Sequence, residues 1–276
     1  MKIMTDTASL LSPAEGKALG ITVIPACTVI DGKVYKDFED LSSEELLKWM
    51  EAGAVPTTSQ PSVGDLMEVF ENQQEEILFL SIGDGLSGGY QNALGVKNSM
   101  EQNEKIHIMD TRTLAGAEHY LVKKALQLKE HGLNITRMKK ELQKCIESSA
   151  SFVIPVDFNF LKRSGRLTPL AAKIGSMIKI VPVLTQTEDM RRITPLTIKR
   201  SRKKAVEAII ERFKALGVDE NYFISVCHAG VCEYTKEVLQ QMKKHFANTT
   251  MELFALSPTL MTHGGPGCVL IQAIRK

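Results

Sequence analysis

A chain of 276 residues, 43% hydrophobic and 24% charged, is too long for a minimal domain and long enough for two, each burying its own core. Its net charge of +2 argues against a protein built mainly to hold nucleic acid. No run of about 18 apolar residues offers a membrane span, and the opening MKIMTDTASLL lacks the apolar core of a signal peptide.

In chain order, the apolar runs Lys2–Thr5, Thr22–Ile24, Ile77–Leu80 and Ile106–Met109 predict strands. Helical patterns lie between them. Ser42 with Glu45 forms a capping-box signature ahead of LLKWMEAG, which Gly53 stops. Ser62 with Asp65 opens VGDLMEVFENQ, whose Leu66, Met67, Val69 and Phe70 share one face. LAGAEHYLVKKALQLKEHG predicts a long helix closed by Gly132. This alternation predicts an α/β domain over residues 1–151, three α/β/α layers on a parallel sheet.

From about residue 152 the pattern changes. FVIPVDF predicts a strand and FNFLKRSGRL a turn with a basic tip. Thr168 caps the next helix, LAAKIGSMIKI, with Pro169 at its first position. Strands at Val181–Thr185, Tyr222–Cys227, Met251–Ala255 and Val269–Ala273, with helices Arg202–Leu216 and Glu233–His245 between them, predict a second α/β domain on a mixed sheet, residues 152–276.

Five cysteines, Cys27, Cys145, Cys227, Cys232 and Cys268, are an odd number with scattered spacing. They are expected to be small core residues in a reducing cytoplasm. The pair in CHAGVC lacks the second cysteine pair that a zinc site needs, so no metal is expected.

The stretch SIGDGLSGGY contains Gly-x-Ser-x-Gly around Ser87. In a nucleophile elbow such a serine sits on a strained turn directly between strand and helix. Here the strand ends several residues early, the Gly83-Asp84-Gly85 turn is loose, and the His-Gly-Gly string at residues 263–265 lies downstream of the serine rather than upstream. A serine esterase or acyl hydrolase with Ser87 as nucleophile, assembled with Asp157 and His263, is the alternative reading. The same glycine-rich turn exposes backbone amides at a helix start, where Ser87 clamps a carboxylate or phosphate, or only caps its own helix. A second hydroxyl-rich turn, TTSQPS, places Thr58 and Ser59 before another helix, and THGGPG carries the imidazole of His263 where backbone approaches closely. The run Arg191–Lys204 holds seven cations without interleaved aromatics. It reads as a solvated face, an arginine turned inward toward an anion, or a site for nucleic acid, the last poorly supported.

TTSQPS, GLSGGYQNA, FLKRSGRL, AAKIGSMIKIVPVL, IKRSRKKA and the closing THGGPG, in this order after the opening TDTASL, resemble the DegV family of bacterial fatty-acid-binding proteins over essentially the whole chain. The resemblance implies two α/β domains with one long-chain fatty acid between them. It also implies a non-enzymatic carrier, with no cofactor beyond the bound acid, that presents the carboxyl group to a fatty-acid kinase subunit for acyl-phosphate formation and phospholipid synthesis. Carried onto this sequence, Thr58 and Ser87 bond the carboxylate. His263 and an arginine of IKRSRKKA, Arg200 in preference to Arg202, support it. Arg163 and Arg166 form a docking surface for the kinase. Met177 and Met261 are expected wall residues. The chain departs from the family at Gly89, where a threonine is usual, and in the helix after Asp110-Thr111, where Ala115, Ala117 and His119 stand at the positions of the family's small-residue S-x-G-x-G pattern; the bulk of His119 is expected to narrow or reshape the pocket.

Overall fold

The computed structural model describes residues 1–72, 74–173, 180–231 and 233–276; Met177, Cys232 and residues 174–179 of the LAAKIGSMIKI helix lie outside them. The first half runs β1 (Lys2–Asp6), α1 (Pro13–Ala18), β2 (Ile21–Ile24), β3 (Cys27–Ile30), β4 (Lys33–Lys36), α2 (Ser43–Glu51) and β5 (Thr57–Ser59). It continues through α3 (Val63–Glu71), β6 (Ile77–Ser81), α4 (Gly89–Ser99), β7 (Ile106–Asp110), α5 (Ala115–Glu130) and α6 (Ile135–Glu147).

Strands β2-β1-β6-β7 form a parallel sheet in that order. Successive strand side chains point to opposite faces. Ile3, Leu78 and Leu80 accordingly pack with Leu121, Val122 and Leu142 of α5 and α6, while Met4, Ile77 and Phe79 pack with Leu66, Phe70 and Ala93 of α3 and α4. The three layers follow from this alternation. The helix starts are made as the sequence indicates: Ser42 and Glu45 form a reciprocal capping box, and the Ser62 hydroxyl accepts the Asp65 amide. The antiparallel sheet β4-β3-β5 was not anticipated.

The second half comprises β8 (Ala150–Ile154), α7 (Phe158–Ser164), α8 (Pro169–Ala172), β9 (Val181–Gln186), β10 (Ile193–Lys199) and α9 (Arg202–Ala215). After these come β11 (Tyr222–His228), α10 (Glu233–His245), β12 (Thr250–Ala255), α11 (Pro258–Gly264) and β13 (Val269–Arg275). Its six strands form a mixed sheet, β10-β9-β8-β13-β11-β12, in which β11 and β12 are parallel and the other pairs antiparallel. The expected division after residue 151 falls inside β8.

One expectation needs correction, and one strand was not foreseen. FNFLKRSGRL begins as the helix α7, not a turn: Asp157 accepts the Asn159 amide at its start, Gly165 ends it at φ 72°, and Lys162 and Arg163 occupy the last turn, where the helix dipole favours cations. Within the cationic run, residues 193–199 form the edge strand β10.

Helix α5 joins the two sheets. One side covers the parallel sheet, and at its start the backbone presses on β11, where a Cβ on Gly116 would lie 2.2 Å from the Ser225 side chain. Gln272 of β13 bridges the same seam: its Oε1 accepts the Ala117 amide at 3.1 Å, and its Nε2 donates to the Leu114 carbonyl and the Ser151 hydroxyl at 3.0 and 2.9 Å.

Candidate functional site

A cavity of about 430 Å³ lies between the parallel sheet's loops and the mixed sheet, within the roughly 300–1,000 Å³ of small-molecule sites. Ile82, Leu86 and Leu114 line it from one side, Leu161, Leu184 and Leu260 from the other. Thr58, Ser87, His263 and Arg166 line it as well, beside further polar residues that include Asp6, Gln60, Ser151, Thr185 and Thr259.

Each of the four has a local reason for its place. Thr58 is the middle residue of β5, paired with Thr28 of β3. Strand alternation turns it inward while Thr57 and Ser59 stay exposed. Helix α11 starts on Ser257, whose hydroxyl accepts the Leu260 amide, with Pro258 at its first position, and carries His263 in its last turn. The imidazole Nε2 lies 3.0 Å from Thr58 Oγ1. Burial, and secondarily the charge of Arg166, pushes the His263 pKa down to about 4, so the ring is neutral near pH 7. Ser87 precedes α4, and its Oγ accepts the Gly89 amide at 3.2 Å, which leaves its proton to donate elsewhere. The two motif turns are tied together by Asn92, whose Nδ2 donates to the Pro61 carbonyl at 2.8 Å.

The arginine of the site is Arg166. Its Nε donates to the Leu86 carbonyl at 3.1 Å, a second guanidinium N–H meets the Ser164 carbonyl, and burial lowers its pKa. Arg166 therefore belongs to the cavity wall and not to an exposed docking face, a correction to the sequence reading. Arg163 does lie exposed, its guanidinium 4.5 Å from the centre of the Phe160 ring. Arg200 is exposed just beyond the end of β10 and does not line the cavity, so it does not join Thr58, Ser87 and His263. Arg202 stands 4.8 Å from the Tyr234 ring centre. The arginine of the cavity thus comes from the FLKRSGRL block rather than from IKRSRKKA.

Other expectations shift too. His119 does not line the cavity; its Nδ1 lies 3.0 Å from the Ser9 carbonyl and its ring packs 4.7 Å from that of Phe254. Met261 is buried in the core rather than in the wall. Gly89 begins α4, and a Cβ there would meet Ile82 Cγ2 at 3.3 Å and Ser87 Oγ at 3.6 Å. The residue missed outright is Asp6, which lines the cavity and is 2% exposed. Burial raises its pKa to about 6 although its oxygens accept the Ala8 and Ile82 amides at 2.9 and 3.0 Å. The cue was Asp followed by Thr-Ala-Ser at the end of a buried strand, a capping pattern.

Ser87, Asp157 and His263 of the alternative reading are not hydrogen-bonded to one another among the described residues. Ser87 makes no hydrogen bond to a histidine among the described residues, and Asp157 is spent on capping α7. Among the described residues no group of three or more His, Cys, Asp or Glu could hold a metal ion, and no helix is long and apolar enough to cross a membrane. What the arrangement offers is a mostly apolar space lined by three uncharged hydrogen-bonding side chains, Thr58, Ser87 and His263, and one half-buried arginine. It suits an amphiphile with an anionic head.

The profile of the DegV family, described as that of an uncharacterised protein, matches residues 1–276. A DegV domain-containing protein of Lactococcus lactis, YteA, is 30% identical over 285 aligned positions, covering 100% of this chain and 98% of its own. A fatty-acid-binding DegV family protein of Thermus thermophilus superposes with a TM-score of 0.89 at 25% identity, covering 100% of this chain and 99% of its own. The fatty-acid-binding DegV family protein SAG1342 of Streptococcus agalactiae does so with 0.88 at 26%, covering 100% and 98%. Agreement along the whole length, in sequence and in the pairing of a parallel with a mixed sheet, makes this chain a member of the DegV family.

Proposed function

We propose that this protein binds one long-chain fatty acid in the cavity between its sheets and presents the carboxyl group to a partner kinase subunit, which forms the acyl-phosphate. The observation that carries the reading is the neutral, partly buried His263, hydrogen-bonded to Thr58 beside the half-buried Arg166 in a mostly apolar cavity. In this reading the chain is two halves meeting at the cavity, divided after residue 151, and works in the cytoplasm.

Each methylene removed from water contributes roughly 0.8 kcal/mol, so the aliphatic walls hold the tail. The head is harder to place, because a buried carboxylate without partners costs several kcal/mol. Thr58 and Ser87 donate hydroxyl protons to its oxygens, His263 fixes the Thr58 hydroxyl, and Arg166 supplies the charge. Hydroxyl donors hold a carboxylate without enclosing it, so an oxygen stays available to a kinase. The known fatty-acid binding of the Thermus and Streptococcus relatives agrees with this reading. Exposed Arg163, braced on Phe160, belongs to the proposed docking face.

The test is Ser87→Ala, purified in parallel with wild type and extracted for lipid. The expected result is a fall in bound fatty acid with an unchanged melting temperature. Unchanged occupancy would remove Ser87 from the site.

A further inference from the structure

The turn that carries Ser87, residues 83–88, is gripped from the mixed-sheet side of the cavity. Asp84, whose side chain is only 10% exposed, pairs with Arg191, which reaches across from the β9–β10 turn. Gln91 Nε2 donates to the same Asp84 oxygen at 3.1 Å. The two turns also touch directly: Gly85 has φ +86°, and a Cβ there would lie 2.8 Å from the Arg191 carbonyl oxygen. Arg191 comes from a braced turn, since Asp189 Oδ1 accepts the Arg191 amide at 3.1 Å and the Thr187 amide donates to the Arg192 carbonyl at 2.8 Å. Gln186 Nε2, at the base of that turn, donates to the Arg112 carbonyl at 2.8 Å and so crosses the same seam. Neither Asp84 nor Arg191 lines the cavity.

We propose that the Asp84–Arg191 pair is a latch: it holds the Ser87 turn against the β9–β10 turn and sets how fast a fatty acid enters and leaves. This rests on the reading of the cavity as a fatty-acid site. A ligand that fills a partly enclosed space has to part some of its wall, and this seam carries a charge contact in which one partner is nearly buried. A latch acts on the open and closed states of the wall, not on contacts with the ligand. Breaking it therefore raises entry and exit rates together and leaves the equilibrium affinity nearly unchanged. A weakened binding site would behave differently, with faster exit alone.

The test uses the full chain loaded with parinaric acid, a fluorescent polyene fatty acid, and stopped-flow transfer to excess delipidated serum albumin, with uptake measured separately. Asp84→Asn and Arg191→Gln are each expected to raise both rates about five-fold. Arg191→Lys, which keeps the charge, is expected to stay near wild type. Added salt is expected to speed exchange in wild type and not in the two neutral variants. Unchanged rates in Asp84→Asn and Arg191→Gln, or faster exit with unchanged entry, would overturn the latch while leaving the binding reading in place. A wild-type protein that takes up no parinaric acid would overturn both.

Discussion

His263 Nε2 lies 3.0 Å from Thr58 Oγ1, and this bond joins the last turn of α11 to the middle of β5 across 205 residues of chain. It puts a residue of the last segment and a residue of the small antiparallel sheet on one cavity wall. Because the ring is neutral, the bond also orients the Thr58 hydroxyl without adding a second charge beside Arg166.

Thr58→Val keeps the shape and removes the hydroxyl. It leaves His263 without this partner and deletes one proposed donor to the carboxylate. The expected cost is about 1–2 kcal/mol of fatty-acid affinity, roughly a ten-fold weaker dissociation constant. Isothermal titration of delipidated protein with oleate checks it, and an unchanged constant removes Thr58 from the head-group site.

Arg166 and Arg200 separate cleanly. Arg166→Gln is expected to lower fatty-acid occupancy at least several-fold, because it removes the charge next to His263 and the bond to Leu86. Arg200→Gln, at an exposed position outside the cavity, is expected to leave occupancy unchanged. Lipid extraction from the two variants decides between them; the opposite pattern restores the arginine assignment made from sequence.

Asp37 gives a pH signature. Its carboxylate accepts the Thr7 and Thr28 hydroxyls and the Thr259 amide, but burial outweighs these bonds and raises its pKa from 3.8 to about 6. Between those values the folded protein holds a proton that the unfolded chain has released. The stability due to Asp37 is therefore fully present below pH 4, is lost as pH rises to 6, and is level above that. The whole change is on the order of 3 kcal/mol for a shift of this size. Urea unfolding of wild type and Asp37→Asn at pH 4 and pH 7 is expected to show wild type losing its advantage at the higher pH. A pH-independent difference contradicts it.

Gly116→Ala tests the seam between α5 and β11. Alanine is ordinarily favoured over glycine in a helix, yet a Cβ here would stand 2.2 Å from the Ser225 side chain. The overlap is expected to win, with a loss of about 1–3 kcal/mol in urea unfolding. A stabilised variant would show that the two layers have room to part.

Local signals in the sequence carried far. Capping at Ser42 and Ser62 and the alternation of β1, β6 and β7 were legible because each depends on neighbours within a few positions. The family motifs pointed to Thr58, Ser87 and His263, all three of which line the cavity. The hairpin β3–β4 was legible but passed over: Asp31 and Gly32, at φ 51° and 79°, are the Asp-Gly turn between Thr-Val-Ile and Lys-Val-Tyr. Strand β10 was masked by the cations that flank it, Arg191 and Arg192 before and Arg200 to Lys204 after, and its apolar Leu196 and Ile198 are 36% and 40% exposed. Arg166 could not be found by spacing. Its position depends on where α7 ends and on Leu86, eighty residues earlier, and a cation count along the chain gives the longer run at 191–204 equal claim.

The central claim is that Ser87 and its neighbours hold a carboxylate without reacting with it. Paired native and denaturing mass spectrometry of the protein as purified from cells tests this most directly. The account predicts a native mass excess that disappears on denaturation and is then identified as a free fatty acid. An excess that survives denaturation and maps to Ser87 as an acyl ester would make Ser87 a nucleophile and contradict it.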